Sequence, residues 1–473
     1  MTRDVAIVGA GIAGIGMGIR LARAGRDDFV LLERAGDVGG TWRDNVYPGV
    51  ACDIPSHLYE YSFRPKDDWS HRFATGSELH GYLRDAADAE GLGPHLRLET
   101  PLDSAEWDGD AWTLHTPSGA VRSRVLVMAA GRLSEPRTPS VPGLGSFPGN
   151  VFHSARWAAG PLEGLRVGIV GTGASAVQIV PEVARDAASV VVFQRTPAWV
   201  LPRGDRAYAP DETRPTRSEL AAEAEGLFAA RLAGSDAARA LEDVARGHLQ
   251  RQVADPVLRA ALTPDYDIGC KRAVFSDDYY STLARPHVAL EPSALAAVDG
   301  SAAVAASGAR YELDVLVLAT GFETTRPPFA DLVSARGVTL AEHWADGMTS
   351  HASTVVSGFP NLFVLDGPNS ALGHHSAFEV IEAQLDYVLG ALEHLDAAGG
   401  VLEVTAEAEA RYTELVDGLA ARTVWTQGGC ASWYLDDSSG RLTLVWPERA
   451  ELFRRLNGTF DPEPFAARES QPA

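Results

Sequence analysis

Two short glycine-rich stretches each follow an apolar run, and their spacing is typical of turns that hold phosphate groups. The first is Gly9-Ala10-Gly11-Ile12-Ala13-Gly14, and the second is Gly171-Thr172-Gly173-Ala174-Ser175-Ala176. In such a motif glycine permits a tight turn, close approach of the backbone to a pyrophosphate, and close packing of helix on strand. The free N–H groups at the start of the following helix then face the phosphates. The chain is therefore predicted to bind two dinucleotides.

The residues that follow the two turns predict different nucleotides. Glu33 ends the apolar run Phe29–Leu32, where a carboxylate accepts hydrogen bonds from ribose hydroxyls. The second unit has Gln194-Arg195-Thr196 at the corresponding place, and a guanidinium there pairs with a 2′-phosphate that a carboxylate would repel. The first site is predicted to bind FAD or NAD and the second NADPH, unless Arg195 is an ordinary solvated surface residue. Two such sites in one chain indicate electron transfer from NADPH to a flavin.

Each turn belongs to a strand–turn–helix–strand unit, the βαβ unit of a parallel sheet. Two apolar runs that resemble each other, 124–131 and 314–321, lie on either side of the second unit. The pattern predicts an α/β fold with two Rossmann-like dinucleotide-binding domains, the second inserted in the first. The predicted limits are 1–140 for the N-terminal part of the FAD domain, 160–320 for the NADP domain with a helical insert at about 211–265, and 321–473 for the C-terminal part of the FAD domain and the substrate pocket.

Composition narrows the classes of partner. The chain has 473 residues, with 41 Lys and Arg against 63 Asp and Glu and a formal net charge of −22, which argues against a nucleic-acid partner. The apolar N-terminal run is broken by glycines and ends at Arg20, so neither a membrane span nor a targeting signal is predicted. Cys52, Cys270 and Cys430 have neither metal-ligand nor redox spacing, which predicts a reduced, cytoplasmic protein without a metal site.

A stretch between the two predicted domains reads Phe147-x-Gly149-x-x-x-His153-x-x-x-Trp157. It resembles the fingerprint of the Baeyer–Villiger type of FAD- and NADPH-dependent flavoprotein monooxygenases, except that Ala158 stands where that family has Pro or Asp. The sister group of N- and S-oxygenating flavin monooxygenases usually has a different aromatic residue followed by a basic one, so Trp157 favours the Baeyer–Villiger type. The segment 39–53 also has the family's Gly-Gly-x-Trp and Tyr-Pro-Gly-x-x-x-Asp spacing.

The resemblance also implies roles for individual residues. Arg272 matches the active-site arginine, Lys271 a ligand of the NADPH phosphate, and Asp53 the acid that interacts with the arginine. Tyr59 matches a flavin contact and Leu102 a position near the adenine of FAD. The predicted cofactor-binding residues are therefore Gly9, Gly11, Ala13, Gly14, Glu33, Gly40, Thr41, Trp42, Asp53, Tyr59, Leu102, Thr172, Gly173, Ser175, Ala176, Gln178, Arg195, Thr196, Lys271 and Arg272.

The reaction implied by the resemblance is insertion of one oxygen atom of O2 next to a ketone carbonyl, through a C4a-peroxyflavin, to give an ester or lactone. A fixed guanidinium stabilises negative charge on the peroxide and on the tetrahedral adduct, and arginine keeps its proton. Asp53 would satisfy and position a buried Arg272. From the residues alone, Asp53 could equally form a structural pair with Arg272 or cap the turn at 54–56.

Two further segments are placed near this chemistry. His153 and Trp157 lie on the connection between the predicted domains, where they could control the reorientation of NADP or could form an interdomain packing cluster. The loop 367–370 precedes an amphipathic pattern at 376–395 and could bring backbone N–H groups to the reduced flavin or cap that helix.

Other functions remain open at this stage. The chain could be an N- or S-oxygenating flavin monooxygenase, for which Arg272 would matter less, or an NADPH-dependent flavin electron-transfer reductase. A Cys-x-x-Cys pair is lacking, which argues against a disulfide reductase. A small ketone or related apolar substrate is predicted together with O2, because aromatic residues are frequent near the C-terminus, although these residues are as easily part of the core. The oligomeric state is not predicted.

Overall fold

The computed structural model describes residues 2–209 and 212–466. Within these ranges the strands are β1 Thr2–Val8, β2 Phe29–Leu32, β3 Leu96–Arg97, β4 Ser104–Trp107, β5 Trp112–His115, β6 Val121–Met128, β7 Asn150–His153, β8 Arg166–Val170, β9 Ser189–Phe193, β10 Val200–Leu201, β11 Val274–Phe275, β12 Val288–Glu291, β13 Leu295–Asp299, β14 Ala302–Ala305, β15 Arg310–Glu312, β16 Val315–Leu318, β17 Val333–Ala335, β18 Val338–Thr339 and β19 Leu362–Val364. The α-helices are α1 Ile12–Arg23, α2 Thr41–Asp44, α3 Gly76–Ala89, α4 Ala174–Asp186, α5 Arg217–Gly226, α6 Asp236–Gln252, α7 Pro256–Ala261, α8 Tyr279–Leu283, α9 Leu340–His343, α10 Ala377–Ala398, α11 Ala406–Ala420, α12 Val424–Gln427 and α13 Ala450–Asn457. No helix in the described ranges is long and apolar enough to cross a membrane.

The larger sheet joins the two ends of the chain. In the described residues it has the strand order β18-β17-β4-β5-β6-β1-β2-β3, and β19 pairs with the C-terminal residues of β6. Strands β1, β2, β3, β6 and β19 run parallel, while β5 lies antiparallel between β4 and β6. β2 is buried along its whole length, as expected of a central parallel strand covered on both faces.

The smaller sheet is formed by the middle of the chain. Its order is β12-β9-β8-β16-β7, and every pair in it is parallel. A three-stranded antiparallel unit, β13-β14-β15, stands beside it. Because the smaller sheet uses strands between 150 and 318 and the larger sheet uses strands on both sides of that interval, the predicted α/β fold with one Rossmann-like domain inserted in the other is confirmed.

The resemblance between segments 124–131 and 314–321 has a structural reason. β6 lies beside β1 in the larger sheet, and β16 lies beside β8 in the smaller one. A Cβ atom at Gly9 would stand 2.4 Å from the carbonyl oxygen of Ala129, and one at Gly171 would stand 2.4 Å from that of Ala319. Both glycines also have positive φ angles, +103° and +120°. The two echoed segments therefore end directly against the two phosphate turns.

The predicted limits of the domains stay predictions, although the sheets differ from them at one point. β7 begins at Asn150 and pairs with β16, so the smaller sheet starts before the predicted position 160. The two crossings between domains run side by side, because the N–H of Arg137 donates to the Gly321 carbonyl at 2.8 Å. The insert contains α5, α6 and α7, and α5 begins at a capping box formed by Thr216 and Glu219. Asp211, the predicted start of the insert, and residues 467–473 of the last predicted segment lie outside the described residues.

Substitution of Gly171 should be costly. In Gly171→Ala the new methyl group would meet a backbone oxygen at a φ angle that L residues rarely adopt, so we expect a loss of about 2 kcal/mol or more in the free energy of unfolding, measured with urea. Gly300→Ala is the matched control, because Gly300 also has a positive φ but no atom within 4 Å, and it should lose about 1 kcal/mol. Equal losses in the two variants would contradict the close approach to Ala319.

Candidate active site

The first phosphate turn leaves the start of α1 free for an anion. The helix is preceded by Gly11, which provides no side-chain cap, and its first turn contains no acidic residue. Gly40 lies against this turn, because its Cα would stand 3.6 Å from a Cβ at Gly11. The N–H of Gly39 also donates to the carbonyl of Ala10 at 2.8 Å. The predicted residues Gly9–Gly14 and Gly40–Trp42 are thus brought together, and the exposed N–H groups fit a pyrophosphate.

Glu33 is buried at the end of β2, where it is held from three sides. One carboxylate oxygen accepts from the N–H of Ala10 at 2.9 Å and the other from the N–H of Ala35 at 2.9 Å. Arg43 forms an ion pair with the same carboxylate at 3.0 Å. This arrangement fixes Glu33 beside the phosphate turn, and its role toward a ribose stays a prediction. Arg43 was not predicted as a site residue, because its position in the 39–53 motif does not show which acid it pairs with.

An aromatic wall continues from the first turn. Trp42 and Tyr59 meet edge to face with ring centroids 5.6 Å apart, and Tyr59 meets Phe378 of α10 in the same way at 5.0 Å. Burial raises the pKa of the Tyr59 phenol far above its ordinary value, so it stays neutral. The indole N–H of Trp42 is buried with no hydrogen-bond partner among the described residues. A buried donor of this kind fits a polar edge of a bound cofactor.

The second phosphate turn repeats the design of the first. α4 starts after Gly173 with no side-chain cap and no acidic residue in its first turn. Thr172 donates to the carbonyl of Thr196 at 2.8 Å, so two predicted NADPH ligands meet. Ser175 follows in the first turn of α4 and Ala176 is buried against the core of the smaller sheet.

A pair of cations stands beside this second turn. Arg195 is exposed at the end of β9, and the ammonium of Lys271 lies 5.1 Å from the centroid of the Tyr266 ring. Burial lowers the pKa of Lys271, and the nearby positive charge of Arg195 lowers it further. Two like charges held close together fit a phosphate dianion between them.

Gln178 lies at the contact between the two domains. Its side-chain amide donates to the carbonyl of Ala51 at 2.9 Å and accepts from the hydroxyl of Tyr47 at 3.0 Å. These partners belong to the first domain, whereas Gln178 itself is on α4. Its amide therefore joins the domains in this structure, and its predicted contact with a cofactor stays a prediction. Leu102 is half-buried between β3 and β4 and packs against the apolar core there. Its place near the adenine of FAD stays a prediction.

Asp53 and Arg272 form a bidentate ion pair across the domain boundary, in which both Nε and Nη2 of the arginine donate to the carboxylate. Nη2 of Arg272 stands 2.7 Å from both carboxylate oxygens of Asp53, and Nε stands 3.2 Å from one of them. The charge of Asp53 raises the pKa of Arg272 above its ordinary value. The alternative in which Asp53 caps the following turn is not observed, because the N–H of Ile54 points to the sulfur of Cys52 at 3.4 Å.

Tyr434 was not predicted as a site residue, yet it stands next to this pair. Its phenol is buried within electrostatic reach of the Arg272 guanidinium, and its ring packs against Trp433 with centroids 4.2 Å apart. Burial raises the pKa of Tyr434, so the phenol is a neutral donor. The sequence shows an aromatic cluster at 425–446 but nothing that singles out the one ring that reaches Arg272.

The expectation of three reduced cysteines is wrong for two of them. Cys270 and Cys430 form a disulfide with their Cα atoms 6.2 Å apart, and 160 positions separate them in the chain. Cys52 is a free, buried thiol, and burial raises its pKa. Local spacing cannot signal a pair so distant in sequence. The disulfide joins the loop that carries Lys271 and Arg272 to the segment that carries Tyr434.

His153 contacts the return crossing between the domains, and Trp157 packs on the second domain. The His153 ring is buried and meets Phe322, which follows β16 on the return crossing, with centroids 5.7 Å apart. Burial lowers the pKa of His153, so the imidazole is neutral at neutral pH. Trp157 is half-buried and packs edge to face on Phe152 at 5.0 Å, at the edge of the core of the second domain. The position of His153 supports a role at the hinge, and that of Trp157 supports local packing.

The loop 367–370 is held firmly by the C-terminal segment. The side chain of Asn369 donates to the carbonyls of Leu442 at 2.6 Å and Val445 at 3.2 Å, and Asn369 is itself buried. α10 begins only at Ala377, after an N-cap at Ser376. The loop is therefore not the cap of this helix. Its predicted contact with the flavin stays a prediction.

The disulfide can be counted directly. Thiol titration of the unfolded, unreduced chain should give one thiol, from Cys52, and reduction should raise this number to the three cysteines of the sequence. The variant Cys430→Ser should lose about 2–5 kcal/mol in the free energy of unfolding, since the bond closes a long loop. Three thiols before reduction would contradict the pairing.

Comparison with known proteins agrees with this geometry. A model of the pyridine nucleotide-disulphide oxidoreductase family matches residues 6–209. A Baeyer-Villiger monooxygenase of Streptomyces coelicolor is 44% identical over 95% of this chain and 90% of its own length. The crystal structure of OTEMO in complex with FAD and NADP superimposes with a TM-score of 0.87 at 29% identity and 96% coverage of both chains. A cyclohexanone monooxygenase with ε-caprolactone bound gives a TM-score of 0.85 at 26% identity and the same coverage.

These likenesses cover 95–96% of the chain. They confirm the resemblance predicted from the motifs 39–53 and 147–157 and the FAD and NADP cofactors that it implies. The chain belongs to the Baeyer–Villiger monooxygenases.

Proposed function

We propose that this flavoprotein monooxygenase oxidises small ketones to esters or lactones and that Arg272 and Asp53 are its catalytic pair. In the overall reaction NADPH, a proton and O2 are consumed. One oxygen atom enters between the carbonyl carbon and its neighbour, and the other leaves as water. The observation that supports the proposal most directly is the ion pair of Arg272 with Asp53, in which three N···O distances are 3.2 Å or less and the two residues come from different domains.

The residues present suit both cofactors. Bound FAD supplies the activation of oxygen after NADPH has provided two electrons. For FAD, the chain offers the uncapped start of α1, the fixed carboxylate of Glu33 and the unpartnered indole N–H of Trp42. For NADPH, it offers the uncapped start of α4 and the two cations Arg195 and Lys271.

Arg272 is suited to stabilise negative charge at the reacting oxygen atoms. Asp53 takes up Nε and Nη2, which orients the guanidinium plane without using Nη1. The fixed positive charge stabilises a transition state in which the carbonyl oxygen becomes negative, and it needs no reorganisation at that moment. Asp53 acts on the substrate through Arg272 by holding its position.

The surroundings of Arg272 fit a ketone with apolar substituents. Tyr434 and Trp425 are buried aromatic residues on the C-terminal segment, with ring centroids 6.3 Å apart. The lactone held by the cyclohexanone monooxygenase that this chain resembles supports a product of the same class. Apolar walls around one polar group are the usual composition of a small-molecule site.

Removal of the Arg272 guanidinium should abolish ester formation. In Arg272→Ala we expect the yield of ester or lactone from a ketone panel to fall by about 100- to 1,000-fold, while NADPH is still oxidised and the flavin is retained. Gas chromatography of the products and absorbance of NADPH measure the two effects. Arg239→Ala serves as the control, because Arg239 lies on α6 with 63% of its side chain exposed.

The product spectrum also separates the alternative function. Sulfoxides or N-oxides formed without any ester, at equal rates by the unaltered protein and Arg272→Ala, would contradict the proposal and favour the N- and S-oxygenating type.

Coenzyme preference should depend on Arg195. In Arg195→Ala we expect kcat/KM for NADPH to fall by about 10- to 100-fold while the value for NADH stays unchanged, since the lost contact is to the 2′-phosphate. An equal loss for both coenzymes would show that Arg195 does not contact this phosphate.

Arg195→Ala should also change the pH dependence of kcat/KM for NADPH. Lys271 binds phosphate as a cation, and burial together with Arg195 lowers its pKa, so kcat/KM for NADPH should decline with rising pH earlier than an ordinary lysine would cause. Removal of the Arg195 charge raises the pKa of Lys271 and should shift the decline to higher pH. A decline that stays at the same pH in Arg195→Ala would contradict the coupling.

A further inference from the structure

A second arginine, Arg231, lies buried close to the proposed catalytic loop without a counter-charge. It ends the 3-10 helix Leu227–Arg231 in the helical insert, and only 8% of its surface is exposed. Nη2 donates to the carbonyl of Gly373 at 3.0 Å. Nη1 is buried and has no hydrogen-bond partner among the described residues.

The guanidinium lies directly over the loop that carries Arg272. A Cβ atom at Gly269 would stand 3.2 Å from Nη1 of Arg231, and Gly269 precedes Arg272 by three positions. The positive charges of Arg231 and Arg272 repel each other, and each of them lowers the pKa of the Tyr434 phenol. Arg231 therefore faces the same interior region as the proposed catalytic pair.

Two half-buried arginines near the site are neutralised by a carboxylate. Arg272 pairs with Asp53, and Arg132 pairs with Asp366. For Arg231 no carboxylate of the described residues lies within ion-pair distance, and burial lowers its pKa to about 10. Arg231 is thus still a cation at neutral pH. A buried charge without a partner is costly, and it gains stability when an anion binds.

The neighbouring groups do not supply that anion. His374 is buried with both ring nitrogens unpartnered, and burial together with the charge of Arg231 lowers its pKa to about 3, so it is neutral. The His374 ring packs on Phe228, and Trp425 would contact a Cβ at Gly373 at 2.6 Å. The rings of Phe228 and Trp425 supply apolar contacts beside the charge, as in a site that binds an organic acid by its carboxylate and its hydrocarbon part.

We propose that Arg231 binds a carboxylate on the substrate and that the enzyme prefers oxo acids, in which the ketone lies near Arg272 and the acid group near Arg231. This inference rests on the proposed function and adds the substrate class. Arg231 is a specificity-determining residue in this scheme, and the oxidation of a ketone without a carboxylate does not require it. One free Nη group suits a carboxylate better than a phosphate dianion, which takes more donors.

The test uses oxo acids of increasing chain length, each with its methyl ester, and the full-length enzyme with FAD bound. For the best-fitting length we expect kcat/KM of the acid to exceed that of its ester by about 100-fold. In Arg231→Met this preference should disappear, with the ester oxidised as before, and Arg231→Lys should restore part of it. Arg239→Met, an exposed arginine of the same insert, should leave the preference unchanged.

Two readouts keep the inference distinct from the proposed function. Calorimetry measures the binding of saturated carboxylic acids that carry no ketone. This binding should be lost in Arg231→Met, and the result does not depend on whether the enzyme forms an ester product. The melting temperature of Arg231→Met should equal or exceed that of the unaltered protein, because an unpaired buried charge is removed.

The proposal is overturned if no chain length gives a preference for the acid, or if Arg231→Met lowers turnover of acid and ester equally. A melting temperature well below that of the unaltered protein, with acid binding retained, would likewise assign Arg231 a structural role.

Discussion

The ion pair between Asp53 and Arg272 links the two domains and the proposed chemistry. Asp53 belongs to the first domain and Arg272 to the inserted one, so the pair exists only when the domains meet. The side chain of Arg272 is 32% exposed, so a bound molecule can reach the guanidinium. Gln178 adds an uncharged contact across the same boundary. The disulfide lies next to this contact in the chain, because Cys270 precedes Arg272 by two positions.

Features that depend on neighbouring residues could be predicted from the sequence. The phosphate turns, the βαβ units and the insertion followed from glycine spacing and apolar runs, because a turn and its flanking strands are encoded within about 30 residues. The role of Arg272 was inferred from a family motif. The geometry of its contact with Asp53 is a result of folding, since 219 positions separate the two residues.

Features that depend on distant contacts could not be predicted. The disulfide between Cys270 and Cys430 and the approach of Tyr434 to Arg272 each join segments without any shared local pattern. The same holds for β7, a short strand whose place in the smaller sheet is fixed by its partner β16. Such contacts are determined by the packing of whole domains, and a single sequence carries no separate signal for them.

The inserted topology has a consequence for the order of folding. The larger sheet needs β19, which ends at Val364, to cover the end of β6, whereas all strands of the smaller sheet lie between Asn150 and Leu318. During synthesis the smaller sheet is therefore complete in the nascent chain before the larger one can close. The last residues of β6, although made early, gain their partner β19 only more than two hundred residues downstream, and pairing at such separation is slow. Until β19 has been synthesised, the last residues of β6 remain an unpaired sheet edge. The inserted domain, which can fold earlier, brings the two crossings together and so reduces the distance over which β19 and β6 must meet.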